Sequence, residues 1–311
     1  MRSGRSLFIL IRSALAVVAT LGVALASRHA VAQTVINVPP AFPPSTIGAG
    51  TTLNLLDGGF NYSLHGTSGS QINILGGEGN EISSAAGAAV HMSGGLVDAL
   101  HISGDGALSG GGVGFLITWE NATTNISGGA VDTLDTQLTA TLNLHGVDFR
   151  LNGAVIPGLN AVGDTVPLNL QYGDVLTAQL ADGTALAHHE FHFGGGTRIE
   201  PGTLHLIRTV APPTPTPGVI DVTTQSMLPF VGDGHTAVVS EGGSRREHFR
   251  AGPGSRVEVN GGHVGLDFNA IGAEVVVNAG SISHDFHAYE GTVVTVNGGG
   301  MNESQIFRDA V

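Results

Sequence analysis

Val-Val-Val-Asn-Ala-Gly at residues 275–280 is one copy of a unit that recurs along the chain. Val-Glu-Val-Asn-Gly-Gly (257–262) precedes it and Thr-Val-Asn-Gly-Gly (295–299) follows it at nearly the same interval. A repeat of this length is typical of a solenoid, in which each unit buries its apolar face by stacking on its neighbours. The unit therefore predicts a β-solenoid over residues 219–311.

A second array of the same kind lies nearer the N-terminus. Its glycine pairs, at positions 58–59, 76–77 and 94–95, recur at a constant interval. Each pair follows a short segment in which apolar and polar residues alternate, which is the pattern of a strand. The glycines supply turns that need a positive φ or a close backbone approach. We expect a first solenoid over residues 51–137.

The region between the two arrays lacks the repeat. Residues 138–210 hold longer alternating runs separated by turn signals such as Asn152-Gly153 and Asp182-Gly183. This pattern predicts a small antiparallel β module or an elaborated coil inserted in the solenoid. Prolines make residues 33–50 an extended segment and residues 211–218 a stiff linker. The predicted fold is thus all-β, with two parallel β-helix segments separated by a small antiparallel module.

The C-terminal repeats also predict two columns of stacked side chains. Phenylalanines recur once in each unit, which predicts a column inside the solenoid: Phe249, Phe268, Phe286 and Phe307. Asn260, Asn278 and Asn297 predict an asparagine ladder, in which side-chain amides bond along the stack. These residues have a structural explanation that involves no ligand.

Residues 1–32 are typical of a secretory signal peptide. Arginines are followed by the apolar run 14–26 and by the small-x-small site Ala30-Val31-Ala32. An uncleaved N-terminal anchor is the alternative, although the run is short for a membrane span. We expect a secreted or envelope location and no membrane span after the signal is removed.

The composition is acidic, glycine-rich and free of cysteine. The chain has 12 basic and 25 acidic residues and 48 glycines, and all its basic residues are arginine. Removal of residues 1–32 takes away four arginines and no acid, which lowers the net charge from −13 to −17. Such a charge repels phosphate backbones, so we expect no binding to nucleic acid.

The repeat units resemble those of a known family. Gly-Gly-His-Val-Gly-Leu-Asp-Phe-Asn-Ala (261–270) and Ala-Gly-Ser-Ile-Ser-His-Asp-Phe-His-Ala (279–288) are similar to repeats of large secreted proteins in planctomycete-type bacteria. The resemblance implies right-handed parallel β-helix segments and an extracellular or envelope location. It implies no defined catalytic residues. The unequal spacing of the units along the chain also fits a right-handed coil better than a left-handed hexapeptide helix.

One candidate metal site lies in the middle region. His188, Glu190 and His192 would share one face of a strand, because alternate residues point the same way. Two imidazoles and a carboxylate at this spacing could hold a divalent metal such as Zn²⁺. The favoured alternative is a solvated outer face on an edge strand, and no cofactor is predicted.

One candidate carboxylate pair lies in the C-terminal repeats. Asp267 and Asp285 occupy equivalent positions one coil apart and would stack if both faced outward. Carboxylates at such distances can act as acid and base or can bind Ca²⁺. The favoured alternative is that each aspartate accepts hydrogen bonds from turn amides beside a buried phenylalanine.

The only basic cluster comprises Arg245, Arg246, Arg250 and Arg256. It could contact an anionic glycan through bidentate hydrogen bonds. Local ion pairing with Glu241, Glu247 and Glu258 is the favoured interpretation.

Taken together, these features favour a structural or adhesion-type repeat protein without catalytic activity, whose partners are extracellular glycans or other envelope proteins. A carbohydrate-active or carbohydrate-binding β-helix protein, similar to polysaccharide lyases or hydrolases, is the alternative. The scarcity of sugar-stacking residues, with Trp119 and three tyrosines, argues against it.

Overall fold

A computed structural model describes residues 33–311 of the chain, with short gaps. The gaps are residues 138, 171–173, 190–202, 213–216, 224, 227–229, 233, 246–248, 267, 290, 303–304 and 307–311. The predicted signal peptide (1–32), part of the proline-rich linker, Glu190, His192, Asp267 and Phe307 therefore lie outside the described residues.

All regular secondary structure in the described residues is β-strand. Eleven strands precede the inserted region: β1 (Thr34–Val38), β2 (Thr46–Ile47), β3 (Thr51–Leu55), β4 (Phe60–Gly66), β5 (Gln71–Ile74), β6 (Glu78–Ser84), β7 (Ala89–Met92), β8 (Leu96–Ile102), β9 (Asp105–Thr118), β10 (Thr123–Thr136) and β11 (Thr141–Leu151). Five strands follow: β12 (Ala154–Val155), β13 (Thr165–Leu168), β14 (Val175–Leu180), β15 (Ala185–His189) and β16 (Thr203–Arg208).

The C-terminal part is built from shorter strands. They are β17 (Gly218–Val222), β18 (Gln225–Ser226), β19 (Phe230–Val231), β20 (His235–Val239), β21 (Ser244–Arg245), β22 (Arg250–Ala251), β23 (Arg256–Val264), β24 (Asn269–Ile271), β25 (Glu274–Ile282), β26 (His287–Tyr289), β27 (Val293–Val296), β28 (Gly300–Met301) and β29 (Gln305–Ile306).

The N-terminal solenoid has two parallel faces. Face A stacks β1, β3, β5, β7, β16 and the first halves of β9, β10 and β11, which makes eight rungs. Face B stacks β2, β4, β6, β8 and the second halves of β9 and β10. The core between the faces is aliphatic, and one inward column is Leu55, Ile74, Met92, Leu108, Ile126, Leu144 and Leu206.

Glycine is required where consecutive turns stack closely. Gly77 has a φ of 69°, and a Cβ added to it would lie 2.5 Å from the carbonyl oxygen of Gly59. Gly95 has a φ of 76°, and a Cβ there would lie 2.5 Å from the carbonyl oxygen of Gly76. These glycines explain why the pairs mark the repeat.

The middle region (138–210) includes two neighbouring rungs of face A, the first half of β11 and β16, and the segment between them is inserted. Thr141 of β11 pairs in parallel with Thr203 of β16, so the stack continues across the insertion. The end of β11 leaves the rung and pairs antiparallel with β14, which pairs antiparallel with β15. We call β14, β15 and the second half of β11 the inserted sheet.

The C-terminal solenoid has three parallel faces. Face C stacks β17, β20, the first halves of β23 and β25, and β27. Face D stacks β18, β21, the ends of β23 and β25, and β28. Face E stacks β19, β22, β24, β26 and β29. With eight rungs on face A and five on face C, the described residues form about 13 solenoid turns. The predicted all-β fold with parallel β-helix segments and antiparallel strands is confirmed.

Candidate functional site

The asparagines of the C-terminal repeats lie in one column on the outside of the solenoid. Asn297 Nδ2 donates to Asn278 Oδ1, and Asn278 Nδ2 donates to Asn260 Oδ1, each at 2.7 Å. Face A carries similar ladders, since Asn73 Nδ2 donates to Asn54 Oδ1 at 2.8 Å and Asn54 Nδ2 donates to Asn37 Oδ1 at 2.7 Å. Every asparagine in these ladders therefore bonds to a neighbouring rung.

The phenylalanines of the C-terminal repeats stack in the core. The ring centroids of Phe249 and Phe268 are 5.1 Å apart, and those of Phe268 and Phe286 are 4.8 Å apart. All three rings are buried. Small inward residues on face E leave room for them: Ala251, Ala270 and Ala288.

Three arginines of the basic cluster have separate environments, and the fourth, Arg246, lies outside the described residues. Arg245 is buried, its guanidinium carbon lies 4.0 Å from the Phe249 ring centroid, and burial lowers its pKa to about 10. Arg250 is buried on face E. Arg256 pairs with Glu274 and, through Nε at 2.6 Å, with Glu258, and these two partners raise its pKa. The three residues do not form a common exposed basic surface.

The carboxylate pair is described at one member only. Asp285 is exposed and has a φ of 62°, which places it in a left-handed turn directly before buried Phe286. Asparagine and aspartate are the residues that most readily adopt this conformation apart from glycine. Asp267 lies outside the described residues, so the catalytic or Ca²⁺-binding pair stays a prediction.

The metal candidates lie at the edge of the described residues. His188 belongs to β15, which pairs antiparallel with β14, whereas Glu190 and His192 are outside the described part. Among the described residues, no three histidine, aspartate or glutamate side chains are grouped so that they could hold a metal ion. The metal site at 188–192 stays a prediction.

The structure brings aromatic and polar side chains together on face B, where neighbouring rungs meet. Phe115 lies near the end of β9 and Trp119 comes directly after this strand, and the two residues are 36% and 41% exposed. His101 of β8 lies on the neighbouring rung, and its ring meets the Trp119 ring edge to face at 6.4 Å between centroids. The indole is thus held against an imidazole while part of its surface faces solvent.

The rung on the other side of β9, formed by the second half of β10, contributes a carboxylate and a side-chain amide. The backbone N–H of Gln137 donates to the Thr118 carbonyl at 2.9 Å, which places Gln137 beside Trp119. Asp135 pairs in register with Ile117. Gln137 Nε2 donates to Asp135 Oδ2 at 2.9 Å. We call His101, Phe115, Trp119, Asp135 and Gln137 the Trp119 patch.

Asp135 is the buried carboxylate of the patch. It is 7% exposed, and among the described residues its Oδ1 atom is buried without a hydrogen-bond partner. Burial raises the pKa of this carboxyl group, and the Gln137 hydrogen bond lowers it in part. A buried carboxylate oxygen without a hydrogen-bond donor is energetically unfavourable, which favours the protonated form of this group.

The turn that carries Trp119 is fixed by its neighbours. The Ala122 amide donates to the Trp119 carbonyl at 3.0 Å, and Asn121 has a left-handed φ of 61°. Asn121 bonds to Thr139 in the equivalent turn of the next rung, with 3.2 Å between Asn121 N and Thr139 Oγ1. The patch therefore rests on ordered turns and strands.

Two further aromatic residues lie on the same face. Phe60 and Tyr62 of β4 are exposed, and β4 is three rungs from β9 through β6 and β8. Rungs about 4.8 Å apart place the two aromatic groups about 14 Å apart along the stack. Face B thus carries exposed aromatic groups on its second rung and next to its second-to-last rung.

The sequence shows Trp119 as its single tryptophan but does not show which residues surround it. The alternation of Phe115, Ile117 and Trp119 was a signal that the three side chains share a face. Their association with His101 and Asp135 depends on the register between rungs, and the rung from β8 to β9 is shorter than the usual repeat, with Leu96 paired to Gly112.

Comparison with known proteins finds no matching family model, no matching curated protein and no matching solved structure. In the described part of the chain, no helix is long and apolar enough to cross a membrane.

Proposed function

We propose that this protein is a secreted or envelope-associated adhesion-type repeat protein that binds a neutral extracellular glycan without cleaving it. The resemblance of its units 261–270 and 279–288 to secreted, right-handed β-helix repeat proteins supports this location, as do the signal-like residues 1–32. Membership of that family is part of the proposal.

The Trp119 patch is the observation that carries the proposal. A sugar ring has an apolar C–H face that packs on aromatic rings and hydroxyl groups that need hydrogen-bond partners. Trp119 and Phe115 offer exposed rings, and His101 and Gln137 offer polar groups on the adjoining rungs. The Asp135 carboxylate accepts a hydrogen bond from Gln137 Nε2 at 2.9 Å and so holds the Gln137 side-chain amide in place.

The negative net charge of the chain favours a neutral glycan over an acidic one. A net charge of −13, which becomes more negative without residues 1–32, repels acidic polysaccharides. A neutral glycan avoids this repulsion. Repeated sugar units along one chain would also let a polymer contact both aromatic groups of face B and so gain affinity through multivalency.

The experiment compares binding and cleavage of neutral and acidic polysaccharides by the purified protein. We expect retention on a neutral polysaccharide, loss of about tenfold or more in affinity in Trp119→Ala, and no released oligosaccharides. Phe42→Ala is the matched control, because Phe42 is 97% exposed and lies in the extended N-terminal segment. Equal loss in both variants, or depolymerisation of the glycan, would contradict the proposal.

A further inference from the structure

A cleft of about 250 Å³ lies between the inserted sheet and a turn of the C-terminal solenoid. Asp148, Arg150, Thr177 and Gln179 line one wall, and the turn at Pro253 and Gly254 forms the other. None of these residues belongs to the Trp119 patch or to the repeat columns. The cleft therefore has no role in the function proposed above.

The inserted sheet presents its polar side chains to the cleft through a β-bulge. The register of β11 against β14 shifts between Val147 and Arg150, and Asp148 within the bulge has a left-handed φ of 51°. Val147 and Phe149 are buried, whereas Asp148 and Arg150 are exposed. Bulges that redirect side chains, and left-handed residues other than glycine, are concentrated at functional sites.

The opposite wall is a well-bonded turn. The Ser255 amide and hydroxyl both donate to the Gly252 carbonyl, at 3.2 and 2.7 Å. The Gly254 amide donates to the Gly272 carbonyl of the next coil at 3.1 Å. Beside the cleft, Val175 packs on Ile271 and Tyr289, which joins the inserted sheet to face E. Both walls are thus formed before any ligand arrives.

The two charged groups in the cleft do not neutralise each other. Within the described residues, no ion pair joins Asp148 to Arg150, and the Asp148 carboxylate has no hydrogen-bond partner. Arg150 Nη1 donates to the Gly153 carbonyl at 3.2 Å, which anchors one side of the guanidinium. The remaining N–H groups of Arg150 and both oxygens of Asp148 are available to a ligand.

We propose that the cleft binds a small zwitterion of the free α-amino acid class. The ammonium group would pair with Asp148 and the carboxylate with Arg150, so that one ligand neutralises both charges. Thr177 and Gln179 supply further hydrogen-bonding groups, and Ala178 and Ala185 leave room for a small side chain. The volume is slightly below the range of drug-sized pockets, about 300–1,000 Å³, which fits a ligand of this size.

Calorimetric titration of the full purified chain with L-alanine tests the proposal. We expect saturable one-to-one binding, weakened about tenfold or more in Asp148→Asn and in Arg150→Gln. Asparagine tolerates the left-handed conformation of residue 148, so the first variant preserves the backbone. Asp105→Asn removes an exposed carboxylate from face A and serves as the matched control, with unchanged binding expected.

Two analogues test the charges without altering the protein. Propionate lacks the ammonium group and ethylamine lacks the carboxylate, so each should bind the unaltered chain about tenfold or more weakly than L-alanine. L-alanine should also raise the unfolding temperature by mass action. The proposal is overturned by absence of binding up to about 10 mM L-alanine, by equal binding of either analogue, or by preferential binding of glucose.

Discussion

The two solenoids share nearly the same repeat length but differ in cross-section. In the N-terminal solenoid two faces enclose an aliphatic core, whereas in the C-terminal solenoid three faces enclose a column of phenylalanine rings. The difference shows that repeat length predicts stacking but does not determine the shape of a coil. The three-faced coil contains phenylalanine rings beside small alanines, and the two-faced coil contains medium-sized aliphatic side chains and glycine turns.

The largest expected effect concerns the phenylalanine column. Phe268→Ala removes the middle ring and leaves a cavity, so we expect a loss of about 3–5 kcal/mol in the free energy of unfolding, measured by urea denaturation. Met92→Leu in the aliphatic core conserves volume and should lose less than about 1.5 kcal/mol. Comparable small losses in both variants would show that the two cores do not differ in specificity.

The second effect concerns the close turns of the N-terminal solenoid. In Gly77→Ala the new methyl group meets the Gly59 carbonyl, whereas Gly58, with a φ of 75°, has no atom within 4 Å of an added Cβ. Both variants place alanine at a positive φ, which costs about 1–2 kcal/mol. We expect Gly77→Ala to lose about 1–3 kcal/mol more than Gly58→Ala, again in urea denaturation. Equal losses would remove the stacking explanation for the glycine pairs.

The third effect concerns the asparagine ladder of the C-terminal solenoid. Asn278→Ala removes two inter-rung hydrogen bonds, and Asn297→Ala removes one. Each bond contributes about 0.5–1.5 kcal/mol, so the loss of unfolding free energy should be about twice as large for Asn278→Ala. Thermal denaturation of the two variants side by side measures this ratio. A larger effect from Asn297→Ala would count against the ladder.

The smallest effect is a pH dependence at Asp135. Because burial raises the pKa of this carboxyl group in the folded chain, its contribution to stability is present at acidic pH and is lost as pH rises through the folded-state pKa. Asp135→Asn keeps an acceptor for Gln137 and removes the titration. We expect the variant to gain up to about 1 kcal/mol at pH 7 relative to the unaltered chain and to lose that advantage below the ordinary carboxyl pKa.

Urea denaturation over a range of pH provides the measurement. A constant difference between the variant and the unaltered chain at every pH would contradict the raised pKa.

Local repeats allowed much of the fold to be predicted. The strands around Asn260, Asn278 and Asn297, and the solenoid class itself, follow from alternation and period, because stacked coils place equivalent residues next to each other. The course of β11 did not follow from its sequence. Its two alternating segments, Leu142–Leu144 and Val147–Leu151, form one continuous strand, and the chain leaves the rung after Gly146 and pairs with β14.

The candidate sites were harder to predict, since they depend on contacts between coils. Trp119 lies next to His101 and Gln137 through a register that includes a shortened rung. The cleft near Asp148 depends on a bulge and on the turn at Pro253 and Gly254, which lies far away in the sequence. Neither arrangement leaves a periodic signal in the sequence, whereas the structural columns do.

Trp119 is the only tryptophan of the chain, so its fluorescence reports directly on the proposed glycan-binding surface. The most direct test is a titration of tryptophan emission with neutral oligosaccharides. The proposed function predicts a saturable change in emission as the sugar covers the exposed indole ring, with no such change for acidic oligosaccharides. Emission that stays constant while the protein binds a neutral glycan would contradict it.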